Sequence, residues 1–207
     1  MAKFILVTGE AGCGKSAVMD YLKSKGKIIY KTDDVVKDMY KYDEIFLIKA
    51  KEIYGDEVVT DEQINTKILA EKLFDPSLVA ERTQYMEEVH KELCRFFLKH
   101  HPFSSFEDVY LEAAPLKEIA SFIQYLGITD IIVVESKPEI VEQRLALRNK
   151  PDGYWKKVSE FQNIRNVFNN GIVKNYLHLD FIDNSGTLEE LHKRIDEIVN
   201  DNLHKKD

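Results

Sequence analysis

Residues Gly9 to Ser16 read Gly, four residues, then Gly-Lys-Ser, a spacing that can wrap a phosphate group. The glycines let backbone N–H groups turn toward an anion. A helix starting near Lys15 would add the positive end of its dipole, and the lysine itself adds a mobile charge. Ser16 carries a hydroxyl suited to a magnesium ion beside nucleotide phosphates. The candidate nucleotide-binding residues are therefore Gly9, Glu10, Ala11, Gly12, Cys13, Gly14, Lys15, Ser16 and Ala17, with ATP and Mg2+ as the implied cofactors. Glu10 is the awkward member, because an inward carboxylate would repel phosphate; its side chain is expected to point outward. Cys13 reads as a small residue that fits the loop, with redox sensitivity as the sharper alternative.

A phosphate loop alone does not separate a kinase from a GTPase, a transport ATPase or a motor. A guanine-nucleotide switch needs an Asn-Lys-x-Asp type element after a later strand, whereas Val134 leads here into Glu135-Ser136-Lys137-Pro138. Small-molecule kinases need an acceptor-orienting carboxylate, cationic groups on a closing lid, and a cap that excludes water. Asp33 or Asp34, after the second apolar run, supplies the first, with a helix cap as the bland reading. Arg144 and Arg148 stand i, i+4 on one helical stretch and are expected to reach phosphate together, with a solvated helix face as the bland reading; Pro151-Asp152-Gly153 offers a hinge.

These groups need a scaffold. Phe4-Ile5-Leu6-Val7 is a short apolar run, the loop follows, and a helical pattern through Val18, Met19 and Leu22 ends at Gly26. Lys27 to Tyr30 predicts a second strand, Val109 to Ala113 a third, and Ile128 to Val134 the clearest one; Phe181 to Asp183 predicts a short last strand. Residues 43–99 read as mostly helical, with breaks at Tyr54-Gly55-Asp56 and Asp75-Pro76-Ser77. After Pro138 comes the arginine-bearing helix, then a long helix to about Asn170, and a last helix runs from Leu188 to Val199. Strands alternating with helices imply a parallel sheet. The expected fold is α/β, a three-layer α/β/α arrangement formed by one domain: a core of about 1–40, 106–140 and 178–207, a helical acceptor-binding region of about 41–105, and a lid of about 141–177.

The bulk of the chain limits its partners. With 207 residues and a net charge of −7, it lacks the basic surplus that backbone-neutralising nucleic-acid binders carry. The first apolar run is too short for a signal-peptide core or a membrane span. Two cysteines, one inside a loop that needs backbone freedom, favour a reducing compartment, so the expectation is a cytoplasmic chain, a monomer or weak homo-oligomer. Cys/His spacings for a structural metal are absent.

With these residues in view, the chain resembles the dephospho-coenzyme A kinase family over nearly its whole length. The family's loop reads Thr-Gly-Gly-x-Gly-Ser-Gly-Lys-Ser against Thr8-Gly9-Glu10-Ala11-Gly12-Cys13-Gly14-Lys15-Ser16, and the catalytic base of its Asp-Ala-Asp element falls on Asp33. Tyr54-Gly55, Ile64-Asn65 and Leu69 to Phe74 resemble its acceptor-binding helices, and His90 matches the His of its Leu-x-His-Pro element. Leu111 to Leu116, followed by Glu118, resembles its Pro-Leu-Leu-x-Glu stretch. Gln143-Arg144-Leu145 with Arg148 resembles the start of the lid, Gln162 a following helix Gln, and Ile182 to Gly186 the family's Ile-x-Asn-x-Gly ending near the adenine.

What the resemblance implies is transfer of the ATP γ-phosphoryl group to the ribose 3′-hydroxyl of dephospho-coenzyme A. Lys15, Asp33, Arg144 and Arg148 would be catalytic, Ser16 would hold the metal, and Asn184 and Gly186 would join the nucleotide site. Asp33, Asn65, His90, Pro115 and Leu116 would hold the acceptor. The departures are Lys31 for the first Asp of Asp-Ala-Asp, Thr66 for an Arg, Lys91 for a Pro, and Glu10 for a Gly. They leave open another small-molecule or nucleoside monophosphate kinase, or a nucleotide-binding relative without turnover.

Overall fold

The first strand is apolar at every position from Phe4 to Val7 because both of its faces are covered. Phe4 and Leu6 enter one buried cluster, with Phe46, Tyr85, Phe97 and Phe122; Ile5 and Val7 enter another, with Val18, Met19, Leu22 and Ile195. Successive side chains of a strand point to opposite faces, so an unbroken apolar run marks a strand between two helical layers. Each fully buried aliphatic or aromatic side chain contributes roughly 1.5–3 kcal/mol of transfer free energy.

A computed structural model describes residues 2–42, 44–101, 106–115, 119–150, 154–162 and 178–204. β1 (Lys3–Thr8) is followed by α1 (Lys15–Ser24), β2 (Ile28–Lys31), α2 (Thr32–Tyr42) and α3 (Glu44–Tyr54). A small hairpin of β3 (Val59–Thr60) and β4 (Gln63–Ile64) leads into α4 (Thr66–Leu73) and α5 (Val79–His100). β5 (Asp108–Glu112), α6 (Ile119–Leu126), β6 (Asp130–Glu135), α7 (Pro138–Leu147) and α8 (Tyr154–Phe161) come next. β7 (His178–Asp183) and α9 (Leu188–His204) complete the described elements.

The main sheet has five strands in the order β2-β5-β1-β6-β7, and its four pairings are all parallel. β1 lies between β5 and β6, so the chain winds outward on one side and then on the other. Such a switch point opens a crevice at the carboxyl ends of the strands, and the glycine-rich loop leaves β1 there. Two threonines tie the crevice floor: Thr8 Oγ1 donates to Ala113 O at 2.9 Å and Thr32 Oγ1 to Glu112 O at 2.8 Å.

The expected strands are all present, with bounds that differ by at most three residues. Residues 43–99 differ from expectation by the β3–β4 hairpin, whose turn residues Asp61 and Glu62 take φ of 51° and 60°. A two-residue turn that matches strand twist needs positive φ at both positions, a geometry usually signalled by Asn-Gly; Asp-Glu carries no such signal. Leu116, Glu118, the Pro151-Asp152-Gly153 hinge, residues 163–177 of the expected lid and the Lys205-Lys206 tail lie outside the described residues. Among those described, no helix is long and apolar enough to cross a membrane.

Candidate active site

The glycine-rich loop is shaped by close approach from its neighbours. Gly14 precedes α1 with φ 101°, and an added Cβ there would run into the side-chain amide of Asn184; at Gly12 (φ 84°) it would meet Val141 Cγ1 at 2.9 Å. No side chain caps the N-terminus of α1 and its first turn carries no acid, so its leading N–H groups and dipole face the crevice as an anion site. Lys15 Nζ bends back over the loop, donating to Gly9 O at 2.7 Å and Glu10 O at 3.1 Å. Ala17 lies in the first turn of α1, its N–H donating to Gly14 O at 3.0 Å.

The pocket at this loop has a volume of about 330 Å³. Lys15, Ser16 and Asp33 line it, together with Glu112 and Arg148. Five cations (Lys15, Lys31, Lys37, Arg148, Lys150) stand against three carboxylates (Asp33, Asp34, Glu112), so the pocket is locally positive in a chain of net charge −7. That balance suits a polyphosphate. Asp33 is exposed in the first turn of α2, and neighbouring Asp34 is paired with Lys37 at 3.0 Å. A larger cavity of about 1060 Å³ runs beside the edge strand β2 and shares Lys31 and Asp34 with the phosphate pocket. It contains none of the loop, so the smaller pocket is where the chemistry can occur.

Glu112 is a site residue to which the sequence reading assigns no role. It ends β5, and only the β1–β5 pairing places it against the loop, with Val7 and Glu112 in register. Burial pushes its carboxyl above the ordinary range; Lys15 and Lys31 pull it down, Asp33 pushes it up, and a hydrogen bond from Ser16 steadies the charged form. Its Oε2 is buried with no hydrogen-bond partner. A buried carboxylate oxygen without a partner, beside a serine hydroxyl and a phosphate loop, suits a hard divalent cation such as Mg2+.

Arg144 and Arg148 part company. Arg144 donates from Nη1 to Cys13 O (3.1 Å) and Ser136 Oγ (3.0 Å), and from Nη2 to Asn184 O (2.8 Å). Arg148, which caps the carboxyl end of α7, lines the pocket. Asn184 is likewise a buttress: its amide donates to Cys13 O at 2.9 Å, while Ser136 Oγ lies 2.8 Å from Asn184 O and 3.1 Å from Cys13 O and shares its one hydrogen between them. Gly186 sits against the Glu190 carboxylate. Cys13 is buried, and burial pushes its thiol up, which favours the inert reading.

The expected acceptor residues are spread more widely. Asn65 caps α4, accepting from Ile68 N–H at 3.2 Å. His90 is buried between α5 and α6, with Nδ1 3.0 Å from Ser121 Oγ and its ring 5.5 Å from that of Phe122. Neither lines the phosphate pocket. Pro115 is buried just beyond β5, and Leu116 lies outside the described residues. Glu10, half-buried, turns toward α8 and accepts from Trp155 Nε1 at 3.2 Å. Gln162 Oε1 accepts the Ala11 N–H at 2.8 Å.

Comparison with known proteins agrees with this geometry. The family model for dephospho-CoA kinase (CoaE) matches residues 3–153. A dephospho-CoA kinase of Aquifex aeolicus is 25% identical over 204 residues, covering 95% of each chain. Among solved structures, TT1252 from Thermus thermophilus superposes with a TM-score of 0.70 at 21% identity, covering 97% of both chains. Dephospho-CoA kinase from Campylobacter jejuni gives 0.59 at 15% identity over the full length of both. These two likenesses are of fold. The family match spans more than half of the chain, and the chain belongs to the dephospho-CoA kinase family.

Proposed function

We propose that this chain transfers the γ-phosphoryl group of ATP to the ribose 3′-hydroxyl of dephospho-coenzyme A, the reaction of its family, at the 330 Å³ pocket. The observation that carries the reading is the meeting of Lys15, Ser16, Asp33, Glu112 and Arg148 around that pocket. Phosphoryl transfer asks the protein for positioning and charge stabilisation more than for covalent chemistry. The loop N–H groups and the start of α1 would hold the phosphates, and Lys15 would swing from the Gly9 and Glu10 carbonyls to the transferring group. Asp33, at the pocket wall, would orient the acceptor hydroxyl and take its proton. Arg148 would stabilise charge on the transferring oxygens, while Arg144, Ser136 and Asn184 keep the loop in shape.

Ser16 and Glu112 are the residues that would hold Mg2+, which when bound neutralises phosphate charge. The departures Glu10 and Lys31 are compatible with turnover. Glu10 is drawn to Trp155, and Lys31 is paired with Asp20 at 3.3 Å.

The test is ADP release coupled to a reporter, with purified protein, ATP, Mg2+ and dephospho-coenzyme A, beside Lys15→Ala and a panel of nucleoside monophosphates. Turnover with dephospho-coenzyme A that drops about 10²–10³-fold in Lys15→Ala is expected. Turnover only with another acceptor would overturn the acceptor assignment, and ATP binding without transfer to any acceptor would overturn the kinase reading.

A further inference from the structure

Glu10 places a carboxylate on the glycine-rich loop, and an acidic side chain on a phosphate loop needs a partner or it repels the ligand. Here the partner is built. Trp155 Nε1 donates to Glu10 Oε2 at 3.2 Å, and the next residue of the loop, Ala11, donates its N–H to Gln162 Oε1 at 2.8 Å. Trp155 lies in the first turn of α8 and Gln162 follows directly after its last residue, so the two ends of this segment meet two consecutive loop residues. Tyr154 and Gln162 line the phosphate pocket, whereas Glu10 does not. Trp155 is the one tryptophan in the chain.

We propose that Glu10 is a positioning residue that docks α8 onto the phosphate loop through the Trp155 indole and thereby holds Tyr154 and Gln162 at the nucleotide phosphates. The inference rests on reading Gly9 to Ser16 as the nucleotide loop. Its logic is geometric: within the loop the Glu10 carbonyl accepts the Cys13 N–H at 3.3 Å, which holds the Glu10 backbone where its carboxylate reaches the Trp155 indole. The charge is half-buried, near Glu135 and Lys15, and burial pushes its carboxyl upward. Such an acceptor is worth more to an indole N–H than a solvated one, because it has given up part of its water. Without the anchor, the hydrogen bonds described between the loop and this segment reduce to the neutral Gln162 contact. Losing a hydrogen bond to a charged acceptor shifts a docking equilibrium by roughly tenfold or more.

Two measurements test this, and neither contains an acceptor, so they remain readable even if dephospho-coenzyme A is the wrong substrate. The first is Trp155 emission and acrylamide quenching in wild type, Glu10→Gln and Glu10→Gly. Glu10→Gly should shift emission to the red and raise quenching, and Glu10→Gln, which retains an accepting oxygen but loses the charge, should fall between wild type and Glu10→Gly. The second is calorimetric binding of ATP with Mg2+ to wild type, Glu10→Gly, Trp155→Phe and the double variant. Each single change should weaken binding by about tenfold, and the double variant should be no worse than either. Unchanged Trp155 emission in Glu10→Gly, Glu10→Gln behaving as Glu10→Gly, or single effects that multiply in the double variant would each overturn the proposal.

Discussion

Replacing Glu112 by Gln separates what the carboxylate does for folding from what it does for chemistry. The side chain keeps its length, so packing at the end of β5 is preserved while the charge beside Ser16 and Lys15 is lost. Burial raises the Glu112 carboxyl in the folded state, which means folding disfavours its charged form. That cost is present in full above the folded pKa and is relieved as pH falls through it. Thermal unfolding of the variant at neutral pH should therefore occur at the wild-type temperature or above, and the gap should close as the solution is acidified. Turnover should move the other way. A charge that supports magnesium at the reacting phosphates is worth about 2.7–4 kcal/mol, so kcat should fall about 10²–10³-fold, with a higher Mg2+ concentration for half-maximal rate. The assay is ADP release across a magnesium series, run with a melting curve on the same preparation. A variant that melts earlier yet keeps its kcat would refute the reasoning and make Glu112 a structural partner of the loop.

Other outcomes follow from the same geometry. Arg144→Ala breaks three hydrogen bonds among the loop, Ser136 and Asn184; stability in a urea titration should fall by about 2–4 kcal/mol. Arg148→Ala, at an exposed cap, should leave stability alone and cut kcat about 10²–10³-fold; equal effects in the two variants would contradict their division of labour. Asp33→Asn should lower kcat about 10²–10⁴-fold with ATP affinity unchanged by calorimetry, and unchanged turnover would remove Asp33 from the mechanism. At the opposite ends of the strands, Asp130 is buried, which works against its ionisation, but hydrogen bonds from Thr129 and Lys3 and the charges of Lys3 and His178 outweigh that and hold it below its ordinary range. Its contribution is present above the unfolded pKa and lost as pH falls through the folded one. Urea titrations from neutral pH down to about pH 3 should show a shallower acid limb in Asp130→Asn than in wild type.

The legible parts of this protein were those whose physics is local. Gly12 and Gly14 with Lys15 and Ser16 declare a phosphate loop in one short segment, because positive φ and a free helix start are properties of consecutive residues. The run Phe4 to Val7 declares a strand buried on both faces for the same reason. Asn65 and His90 carried the right types for a ligand, but a cap and a buried interhelical contact use the same polar atoms, and only packing distinguishes them.

What the tertiary structure decided was which distant residues share a pocket. Glu112 is one acid among many in the sequence; it becomes a site residue because β5 inserts between β1 and β2, a choice that no local pattern records. Arg144 and Arg148 share one helical spacing, yet the first is taken by carbonyls of the loop and of Asn184 and the second is left to the pocket. Hydrogen-bond satisfaction in the crevice, a property of several segments at once, sets that division. Glu10, which looked like a defect by charge alone, found its partner in Trp155 across 145 residues of chain, and that distance is why the sequence by itself could not supply it.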